Sequence, residues 1–255
     1  MKPDFTVITP TFNSSETIKD TLASVFRQKN VSIEYLIIDG ISLDNTIEIC
    51  NRFLSENIND QITCKVIQEK DNGVYDAMNK GINLAKGTYI AILNSDDIFS
   101  NFSILETIKE KFEEGNDVVY GDLDIVDFNL SKTIRRWEVG RIPKEGFCNA
   151  WHPAHPSFFM SKKGYLAIGN FDTRMKIAAD YDLMLRALTN PLIKSTYINH
   201  TTTLMRIGGL ANGSFKSIIK GNMEVLKSLK KNNIKTNFTK YLLKRVIMKV
   251  RQYYK

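Results

Sequence analysis

The sequence predicts an α/β fold in which a mostly parallel central sheet carries helices on both faces. Five short apolar runs typical of buried strands lie at residues 5–9, 34–38, 64–68, 89–93 and 118–120. Segments with helical periodicity separate these runs. Because strands that alternate with helices return to the sheet in the same direction, the pattern favours a Rossmann-like parallel arrangement. A chain of 255 residues, 43% of them hydrophobic, is long enough to bury one large core.

The first helix is predicted directly after the first strand. Ile18, Leu22 and Val25 recur at helical spacing, and Ser14 or Ser15 precedes them as the predicted N-cap. The remaining gaps up to the fifth strand carry similar apolar patterns. This part of the chain therefore predicts strand and helix in regular alternation.

The regular alternation is predicted to end at Gly121. Turns rich in Asp and Asn follow, with a predicted hairpin formed by residues 125–128 and 133–137 and a stretch rich in Gly and Pro after it. We predict one domain over residues 1–215 and a helical extension over 216–255. Within the domain, residues 1–121 form the predicted nucleotide-binding half and 122–215 the acceptor half.

The charge is concentrated at the C-terminus. Residues 216–255 hold twelve Lys or Arg and a single acid, Glu224, which gives +11 of a total of +7 and leaves −4 for the rest. Apolar residues recur there at helical spacing between basic ones, which predicts a basic amphipathic helix. The stripe comprises Leu243, Val246, Ile247, Val250 and Tyr254.

Two interpretations of this helix stay open. It binds an anionic membrane surface, where each basic residue contributes about 1 kcal/mol, or it packs its apolar stripe on the domain. Nucleic acid is not an expected partner, because no nucleic-acid-binding motif accompanies the charge.

The cysteines and the terminal residues predict a cytoplasmic location. Three cysteines without close pairing suit a reducing compartment better than a disulfide framework. The sequence contains neither a secretory signal nor a run of about 18 apolar residues. We therefore expect a cytoplasmic protein, with peripheral attachment to the inner face of the cytoplasmic membrane if the C-terminal helix binds lipid.

Polar residues follow the first four strands, at the edge where open α/β sheets bind ligands. Asp39 and Asp44 follow the second strand, where they are suited to accept hydrogen bonds from a base or ribose, although Asp44 is equally suited to cap the next helix. Asp96 and Asp97 follow the fourth strand. Adjacent carboxylates at such a place predict a site for a divalent metal, with an ordinary Asp/Asn turn as the alternative.

Four segments in this order resemble the inverting family 2 glycosyltransferases of the GT-A fold. They are Thr-Pro-Thr-Phe-Asn at residues 9–13, Asp-Gly-Ile-Ser-Leu-Asp at 39–44, Asp-Asn-Gly-Val-Tyr-Asp-Ala-Met-Asn-Lys-Gly at 71–81 and Asn-Ser-Asp-Asp at 94–97. The chain is most similar to bacterial enzymes of colanic-acid and O-antigen assembly. The resemblance extends from residue 5 to about residue 210.

The resemblance implies a donor site and a metal site. The residues implied in binding the donor nucleotide or its sugar are Thr9, Pro10, Thr11, Asn13, Asp39, Asp71, Asn79, Asn94, Ser95 and Asp96. Asp96 and Asp97 match the metal-binding Asp-X-Asp element, which implies Mg²⁺ or Mn²⁺. Asn94 stands where many relatives carry Asp, and an amide brings no charge. We therefore expect Asp96 to lead metal binding and the metal to bind weakly without the donor diphosphate.

The resemblance also places a catalytic base at Asp180, near the start of a predicted helix. A sugar hydroxyl loses its proton as it attacks the anomeric carbon, and a carboxylate within hydrogen-bond reach can accept that proton. A helix N-cap is the alternative role for Asp180. Asp182 is the second candidate for the base.

Two further residues are implied near the phosphates or the acceptor. His155 lies in a segment with two prolines, which argues against a zinc pair with His152 because a regular helix would be interrupted. A buried structural role for His155 is the alternative. Arg206 opens a glycine-containing loop at residues 206–210 and is expected to contact diphosphate, with an ordinary surface role as the alternative.

These observations predict a glycosyltransferase. The expected reaction moves one sugar from a nucleotide-diphosphate sugar, UDP-linked by preference, to a lipid-linked oligosaccharide with inversion, in the synthesis of bacterial surface polysaccharide. A non-catalytic module that binds a nucleotide sugar or a membrane surface is the competing interpretation. A dinucleotide-dependent oxidoreductase is disfavoured because the turn after the first strand lacks Gly-X-Gly-X-X-Gly.

Overall fold

The computed structural model of the protein describes residues 2–208 and 215–251. Its strands are β1 (Phe5–Thr11), β2 (Ile33–Asp39), β3 (Ile62–Gln68), β4 (Tyr89–Ile92), β5 (Ile98–Phe99), β6 (Val118–Val126), β7 (Thr133–Trp137), β8 (Phe158–Ser161) and β9 (Ser195–Arg206). Its helices are α1 (Ile18–Phe26), α2 (Thr46–Glu56), α3 (Val74–Leu84), α4 (Ile104–Glu113), α5 (Lys162–Ile168), α6 (Ala179–Thr189), α7 (Phe215–Lys231) and α8 (Phe238–Arg251). All five predicted strands are present.

One mixed sheet of nine strands runs through the described residues, in the order β3-β2-β1-β4-β8-β6-β9-β5, with β7 paired to β6. The four strands of the first half, β3, β2, β1 and β4, are parallel. β8 joins β4 and β6 in antiparallel fashion, while β6 and β9 are parallel. The predicted α/β fold with a mostly parallel sheet is confirmed, and each antiparallel pair includes a strand that follows β6 in the chain.

The two faces of the sheet bury separate cores because neighbouring strand residues point in opposite directions. Ile8 packs with residues of α3 and α6 on one face, whereas Val7 packs with residues of α1 and α4 on the other. In β2 the same alternation sends Leu36 to the first core and Ile37 to the second. Such continuous apolar strands are typical of a sheet covered by helices on both faces.

The strand predicted at residues 118–120 is longer than expected, because β6 continues through Gly121 to Val126. The regular alternation of strand and helix does end with β6, as predicted. A Cβ at Gly121 would lie 2.6 Å from Thr202 Cγ2 and 2.8 Å from the carbonyl oxygen of His200. The glycine therefore lets β9 approach β6 closely. The predicted hairpin is present as β6 and β7.

The predicted N-cap of α1 is also wrong. The helix begins at Ile18 after Thr17, and no side chain caps it. The backbone N–H of Ser14 donates to Thr46 Oγ1 at 2.7 Å, and that of Ser15 donates to Asp44 Oδ2 at 3.1 Å. These serines therefore join the turn after β1 to the start of α2.

The C-terminal helices pack on the domain through a face other than the predicted stripe. Tyr241 of α8 is 2% exposed and lies in the core that contains α6. The described stripe residues are turned outward, with exposed fractions of 62% for Leu243, 60% for Val246, 42% for Ile247 and 49% for Val250. The interpretation in which the stripe packs on the domain is therefore wrong for these four; Tyr254 lies outside the described residues. Among the residues that the structure describes, no helix is long and apolar enough to cross a membrane.

Candidate functional site

The ends of β1 and β2 lie side by side at the carboxyl edge of the sheet, where Thr11 pairs with Asp39. Thr9, Pro10 and Thr11 are buried. The hydroxyl of Thr9 shares a hydrogen bond of 3.0 Å with the Tyr35 hydroxyl inside the sheet. Thr9 therefore packs in the sheet and does not line a pocket through its side chain, contrary to the prediction, whereas Thr11 Oγ1 is buried without a partner among the described residues.

Asp39 organises the turn that follows β2. Its carboxylate is fully buried, and it accepts the Ser42 hydroxyl at Oδ1 (2.5 Å) and the Ser42 backbone N–H at Oδ2 (2.9 Å). Asn13 ties the turn after β1 to the same place, because its backbone N–H donates to Ser42 Oγ and its side-chain oxygen accepts the N–H of Leu43. Each carboxylate oxygen of Asp39 retains a second lone pair for a ligand.

Asp71 and Phe12 both lie close to Gly40. A Cβ on Gly40 would lie 2.6 Å from Asp71 Oδ2 and 3.5 Å from Phe12 Cδ2. The ring of Phe12 is 58% exposed, and Asp71 Oδ1 accepts the backbone N–H of Gly73 at 2.9 Å. An exposed ring beside a carboxylate suits a planar base attached to a ribose. Phe12 was not among the predicted site residues, although a large aromatic side chain in a polar turn is a signal for it.

Asn79 lies elsewhere. Its amide N–H donates to the carbonyl oxygen of Phe171 and its amide oxygen accepts the N–H of Phe171, both at 3.0 Å. Both ends of the Asn79 amide are bonded to the backbone of Phe171, so the predicted contact of Asn79 with the nucleotide or its sugar finds no support. The side chain ties α3 to the segment that precedes α6.

The segment 94–97 forms a tight turn after β4. The Asp97 N–H donates to the carbonyl oxygen of Asn94 at 3.1 Å, and the Asn94 side-chain N–H donates to Asp97 Oδ2 at 2.9 Å. Asn94, Ser95 and Asp96 are half-buried, whereas Asp97 is fully buried. The turn therefore presents Asp96 outward and keeps Asp97 beneath it.

Helix α1 anchors this turn. The hydroxyls of Thr17 and Thr21 donate to the carbonyl oxygen of Ser95 at 2.9 and 3.0 Å, and Thr21 also contacts the carbonyl oxygen of Asp97 at 2.8 Å. The Ser95 hydroxyl lies 2.8 Å from the Ser14 hydroxyl. The turns after β1 and β4 are thus joined directly.

Arg206 anchors the turn from β9. It is 4% exposed, and its guanidinium donates to the carbonyl oxygens of Asp96 (2.9 Å) and Phe128 (2.8 Å) and to Asp20 Oδ2 (2.5 Å). With protein partners on all three nitrogens, Arg206 holds the acidic turn, and the predicted contact with diphosphate finds no support in this geometry. A surface role is wrong as well. Gly209 and Leu210 of the predicted loop lie outside the described residues.

The acidic turn fits a divalent metal as part of a shared site. Asp97 Oδ1 is buried without a partner among the described residues, and burial together with the neighbouring Asp96 raises the pKa of Asp97 well above its usual range. Burial also raises the pKa of Asp96. A bound cation would favour the charged form of both carboxylates. The described residues contain no cluster of three or more His, Cys, Asp or Glu suited to a metal, so further oxygen ligands would come from the donor.

Asp180 lies in the first turn of α6, but it does not cap the helix. The N-cap is Ala178, so the capping alternative is wrong. Asp180 Oδ1 accepts the Tyr75 hydroxyl at 3.1 Å and its neighbour's N–H, that of Tyr181, at 2.8 Å. The carboxylate is half-buried, and both of these bonds go to the same oxygen. Burial and the nearby Asp180 raise the pKa of Tyr75, which keeps that hydroxyl a donor.

Asp182, the second candidate for the base, is fully buried. Its Oδ2 accepts Arg186 Nε at 2.8 Å and its Oδ1 accepts the Ser228 hydroxyl of α7 at 2.7 Å. Because both oxygens of the buried Asp182 carboxylate are bonded within the protein, its role is structural. The alternative prediction of Asp182 as the catalytic base is wrong.

His155 lies on the same side as Asp180. Both of its ring nitrogens are buried without a partner in the described part of the chain, and the ring stands edge-on to Phe171 at 5.7 Å. Burial lowers the pKa of His155 below its usual value, although the nearby charge of Asp180 opposes this shift. His152 differs, because its Nδ1 lies 2.8 Å from the carbonyl oxygen of Pro153.

The sequence profile described as Glycosyl transferase family 2 matches residues 6–176. The chain belongs to this family. The match contains the turns after β1, β2 and β4 and the start of α3, which are the segments that carried the resemblance. The oxidoreductase interpretation is set aside.

Two relatives match different lengths of this chain. The chain is 30% identical over 213 residues to a PGL/p-HBAD biosynthesis glycosyltransferase of Mycobacterium tuberculosis, which covers 82% of this chain and 80% of that protein. It is 28% identical over 145 residues to the succinoglycan biosynthesis protein ExoO of Rhizobium meliloti, covering 56% of this chain and 40% of that one.

Solved glycosyltransferases share the fold. Staphylococcus aureus TarS 1-349 in complex with UDP-GlcNAc superimposes with a TM-score of 0.66 at 17% identity, over 88% of this chain and 66% of that one. The mannosyltransferase PcManGT from Pyrobaculum calidifontis, in complex with GDP-Man and Mn²⁺, gives a TM-score of 0.66 at 16% identity, over 97% and 70%. Against TarS 1-349 bound to UDP, this chain spans 65% of the other protein's length. The GT-A fold implied by the resemblance is confirmed.

Proposed function

We propose that this family 2 glycosyltransferase transfers one sugar from a nucleotide-diphosphate sugar to a hydroxyl of an oligosaccharide, with inversion at the anomeric carbon. The observation that carries the proposal is the Asp180 carboxylate, half-buried and held through one oxygen by Tyr75. A single displacement requires one base for the acceptor and a leaving diphosphate on the other side of the sugar. Asp180 supplies the base, and the carboxyl edge of β1, β2 and β4 supplies the donor side.

The donor nucleotide binds at the turns after β1, β2 and β3. The Phe12 ring stacks on the base, and Asp39 and Asp71 accept hydrogen bonds from the base or ribose. We propose a UDP-sugar as donor. GDP-sugars are the alternative, since TarS is bound to UDP-GlcNAc and PcManGT to GDP-Man in their structures.

Mg²⁺ or Mn²⁺ is the proposed cofactor, and Asp96 with Asp97 would hold it. When bound, such an ion neutralises charge on the departing diphosphate. The unpartnered Oδ1 of Asp97 supports a role in ligation, and the structure of PcManGT contains Mn²⁺. The Asn94 amide donates its N–H to Asp97, which leaves its oxygen as an uncharged ligand.

In the proposed reaction, Asp180 accepts the proton of the acceptor hydroxyl as that oxygen attacks the anomeric carbon. The bond between the anomeric carbon and the diphosphate oxygen breaks, and the diphosphate leaves with the electron pair. The neutral imidazole of His155, on the same side, is suited to a hydrogen bond with the acceptor or the phosphates.

The change Asp180→Asn tests the base assignment. Asn keeps the size of the side chain and an oxygen that can accept from Tyr75, so we expect the fold and donor binding to persist. Transfer, measured as nucleoside diphosphate released in the presence of acceptor and Mn²⁺, should fall by about 10²- to 10⁴-fold. Asp60→Asn, an exposed change just before β3 at the opposite edge of the sheet, is the matched control. Full activity of a folded Asp180→Asn protein would refute the assignment, and binding of a donor without turnover in the wild type would favour a non-catalytic module.

The proposed acceptor is a lipid-linked oligosaccharide in the assembly of a bacterial O-antigen, capsule or exopolysaccharide. The M. tuberculosis relative and ExoO carry names that refer to PGL/p-HBAD biosynthesis and to succinoglycan biosynthesis. The α8 stripe supports a membrane-bound acceptor, because four large apolar side chains face outward. Among the described side chains of the extension, the exposed lysines are Lys216, Lys220, Lys227, Lys230, Lys231 and Lys235, whereas the acid Glu224 is buried. Such a surface complements an anionic bilayer on the cytoplasmic side.

Vesicle sedimentation tests this attachment. We expect wild-type protein to bind phosphatidylglycerol vesicles and to bind phosphatidylcholine vesicles weakly. Val246→Glu should reduce binding by roughly tenfold or more, because it replaces an apolar group by a charge of the wrong sign. Leu166→Glu, the same type of change at a residue of α5 that is 80% exposed, is the control. Equal loss in both variants would argue against a specific role for α8.

A further inference from the structure

Glu224, the only acid among residues 216–255, lies on α7 and faces the start of α6, the helix that carries Asp180. Glu224 is 7% exposed. Its Oε1 accepts the backbone N–H of Lys176 at 3.0 Å, and its Oε2 accepts the N–H groups of Ile177 and Ala178 at 2.8 and 2.9 Å. One carboxylate thus binds three consecutive peptide N–H groups.

These three residues lead directly into α6. Ala178 is the N-cap of that helix, and Asp180 follows two residues later. Hydrogen bonds from backbone N–H groups to a carboxylate are about twice as strong as those between neutral groups. A negative charge at the N-terminus of a helix is also favourable. Glu224 therefore holds the backbone that leads into the first turn of α6.

The same peptide is held from the opposite side by α3. The Tyr75 hydroxyl contacts the carbonyl oxygen of Ile177 at 2.8 Å and Asp180 Oδ1 at 3.1 Å. Ile177 thus binds Glu224 through its N–H and Tyr75 through its carbonyl oxygen. Tyr75 therefore contacts both the Asp180 carboxylate and the backbone that Glu224 holds. If the backbone of residues 176–178 moves, Asp180 moves relative to Tyr75.

Two more contacts keep α7 in register with α6. A Cβ on Gly221 would lie 3.1 Å from Ile177 Cγ2, so the helix approaches the segment closely one turn before Glu224. One turn after it, the Ser228 hydroxyl donates to Asp182. Gly221, Glu224 and Ser228 therefore form one face of α7 that is fitted to the start of α6. This face lies beyond residue 176, where the match to the family profile ends.

We propose that Glu224 is a positioning residue for Asp180, which makes α7 part of the acceptor half and not a separate extension. The proposal rests on the proposed function, in which Asp180 is the base. Glu224 touches neither reacting atom. It acts through the backbone of residues 176–178, and its loss should impair the chemical step more than donor binding.

Glu224→Gln and Glu224→Ala test the proposal in the full-length protein. Gln retains one oxygen but presents an N–H group where the second oxygen accepts, and Ala removes both. We expect kcat to fall by about 10- to 100-fold in the Gln variant and further in the Ala variant, since a misplacement of about 1 Å can cost 10²-fold. The KM for the donor should stay within about twofold, because the donor turns contain no partner of Glu224.

The matched control is Val225→Ala, which removes a core side chain next to Glu224 and none of its hydrogen bonds. This control should lower Tm with little change in kcat. Gly221→Ala is a second variant that retains the acid: its new Cβ presses on Ile177, so kcat should fall while Tm changes little. Amide hydrogen exchange reports on the backbone itself, and residues 176–178 should exchange faster in the Glu224 variants than in Val225→Ala.

Wild-type kcat in a folded Glu224→Gln protein would overturn the proposal. So would losses of kcat that follow Tm equally in the Glu224, Gly221 and Val225 variants, because that result indicates general destabilisation. Failure of the proposed function looks different: the wild type would transfer no sugar, or Asp180→Asn would remain active.

Discussion

Replacement of Gly40 by Ala should block the donor site without unfolding the protein. The new Cβ would lie 2.6 Å from Asp71 Oδ2, where ordinary van der Waals contact begins at 3.4 Å, so the carboxylate must move by about 0.8 Å. The atom that must yield is the end of a side chain, and the main chain of Gly40 has no positive φ that would strain an alanine. A Gly→Ala change at a compatible position stabilises a protein by about 0.4–1 kcal/mol. This gain opposes the cost of moving the Asp71 carboxylate, so the free energy of unfolding should stay nearly constant.

Donor affinity should change much more. If Asp71 binds the base or ribose, its displacement removes a hydrogen bond to a charged group, which is worth about 1.5–3 kcal/mol. This free energy corresponds to a loss of roughly 10- to 150-fold in affinity. The new methyl group also enters the space beside Phe12, at 3.5 Å from its ring, where we place the base.

Isothermal titration with UDP and GDP in the presence of Mn²⁺ measures the affinity, and thermal unfolding of the free protein measures the stability. Gly115→Ala serves as the control, because that glycine lies in the turn after α4 with no atom near its Cβ position. Its positive φ predicts a loss of stability without a change in affinity. Wild-type affinity in a folded Gly40→Ala protein would refute the placement of the nucleotide above Gly40.

Three further predictions concern stability. Arg206→Lys should lower the free energy of unfolding by about 3 kcal/mol and reduce Mn²⁺-dependent transfer, because an ammonium cannot replace the three hydrogen bonds of the buried guanidinium. The same change at an exposed arginine, Arg27→Lys, is the control in urea unfolding. Equal effects of the two changes would refute the role of Arg206. Gly81→Ala should lower Tm, because the new Cβ would lie 2.5 Å from Ile8 Cγ2 and overpacking costs about 1–3 kcal/mol. An unchanged or higher Tm would contradict the close packing of α3 on β1. Burial lowers the pKa of His152 from 6.5 to about 4, so the unfolded chain binds more protons over that range and stability should fall as the pH drops from 6.5 to 4, by up to about 3 kcal/mol. His152→Phe should show a smaller loss in urea unfolding between pH 7 and pH 5, and an identical slope would refute this assignment.

β1, β2, β4 and the start of β6 could be predicted because burial on both faces produces continuous apolar runs, which are visible without any partner. β5, β8 and β9 were not among the predicted strands. Gly121 shows the limit of that reasoning. A glycine in a strand indicates either a break or the close approach of another chain segment. The approaching segment is β9, about 80 residues later, and nothing near Gly121 in the sequence identifies it.

Several side chains predicted for the candidate site have other roles in the structure. Thr9 binds Tyr35 inside the sheet, Asn79 binds the Phe171 backbone, and Arg206 binds the carbonyl oxygen of Asp96. Each partner is distant in sequence, and two of them are backbone atoms, which leave no trace in side-chain patterns. The outward position of the α8 stripe is similar, because periodicity identifies an apolar face and not what covers it.

The position of β9 has a consequence for how the protein is made. This strand is parallel to β6 and pairs with β5, so residues near 100 find their partner only when the chain has reached residue 204. Parallel pairs between distant segments form slowly, because loop closure precedes any gain in contacts. On the ribosome, β1 to β4 can pair early, whereas β5 and the far edge of β6 wait with unpaired backbone groups until β9 emerges. Synthesis stalled before residue 206 would therefore leave an open sheet edge, which is the type of surface that chaperones bind and that aggregates readily.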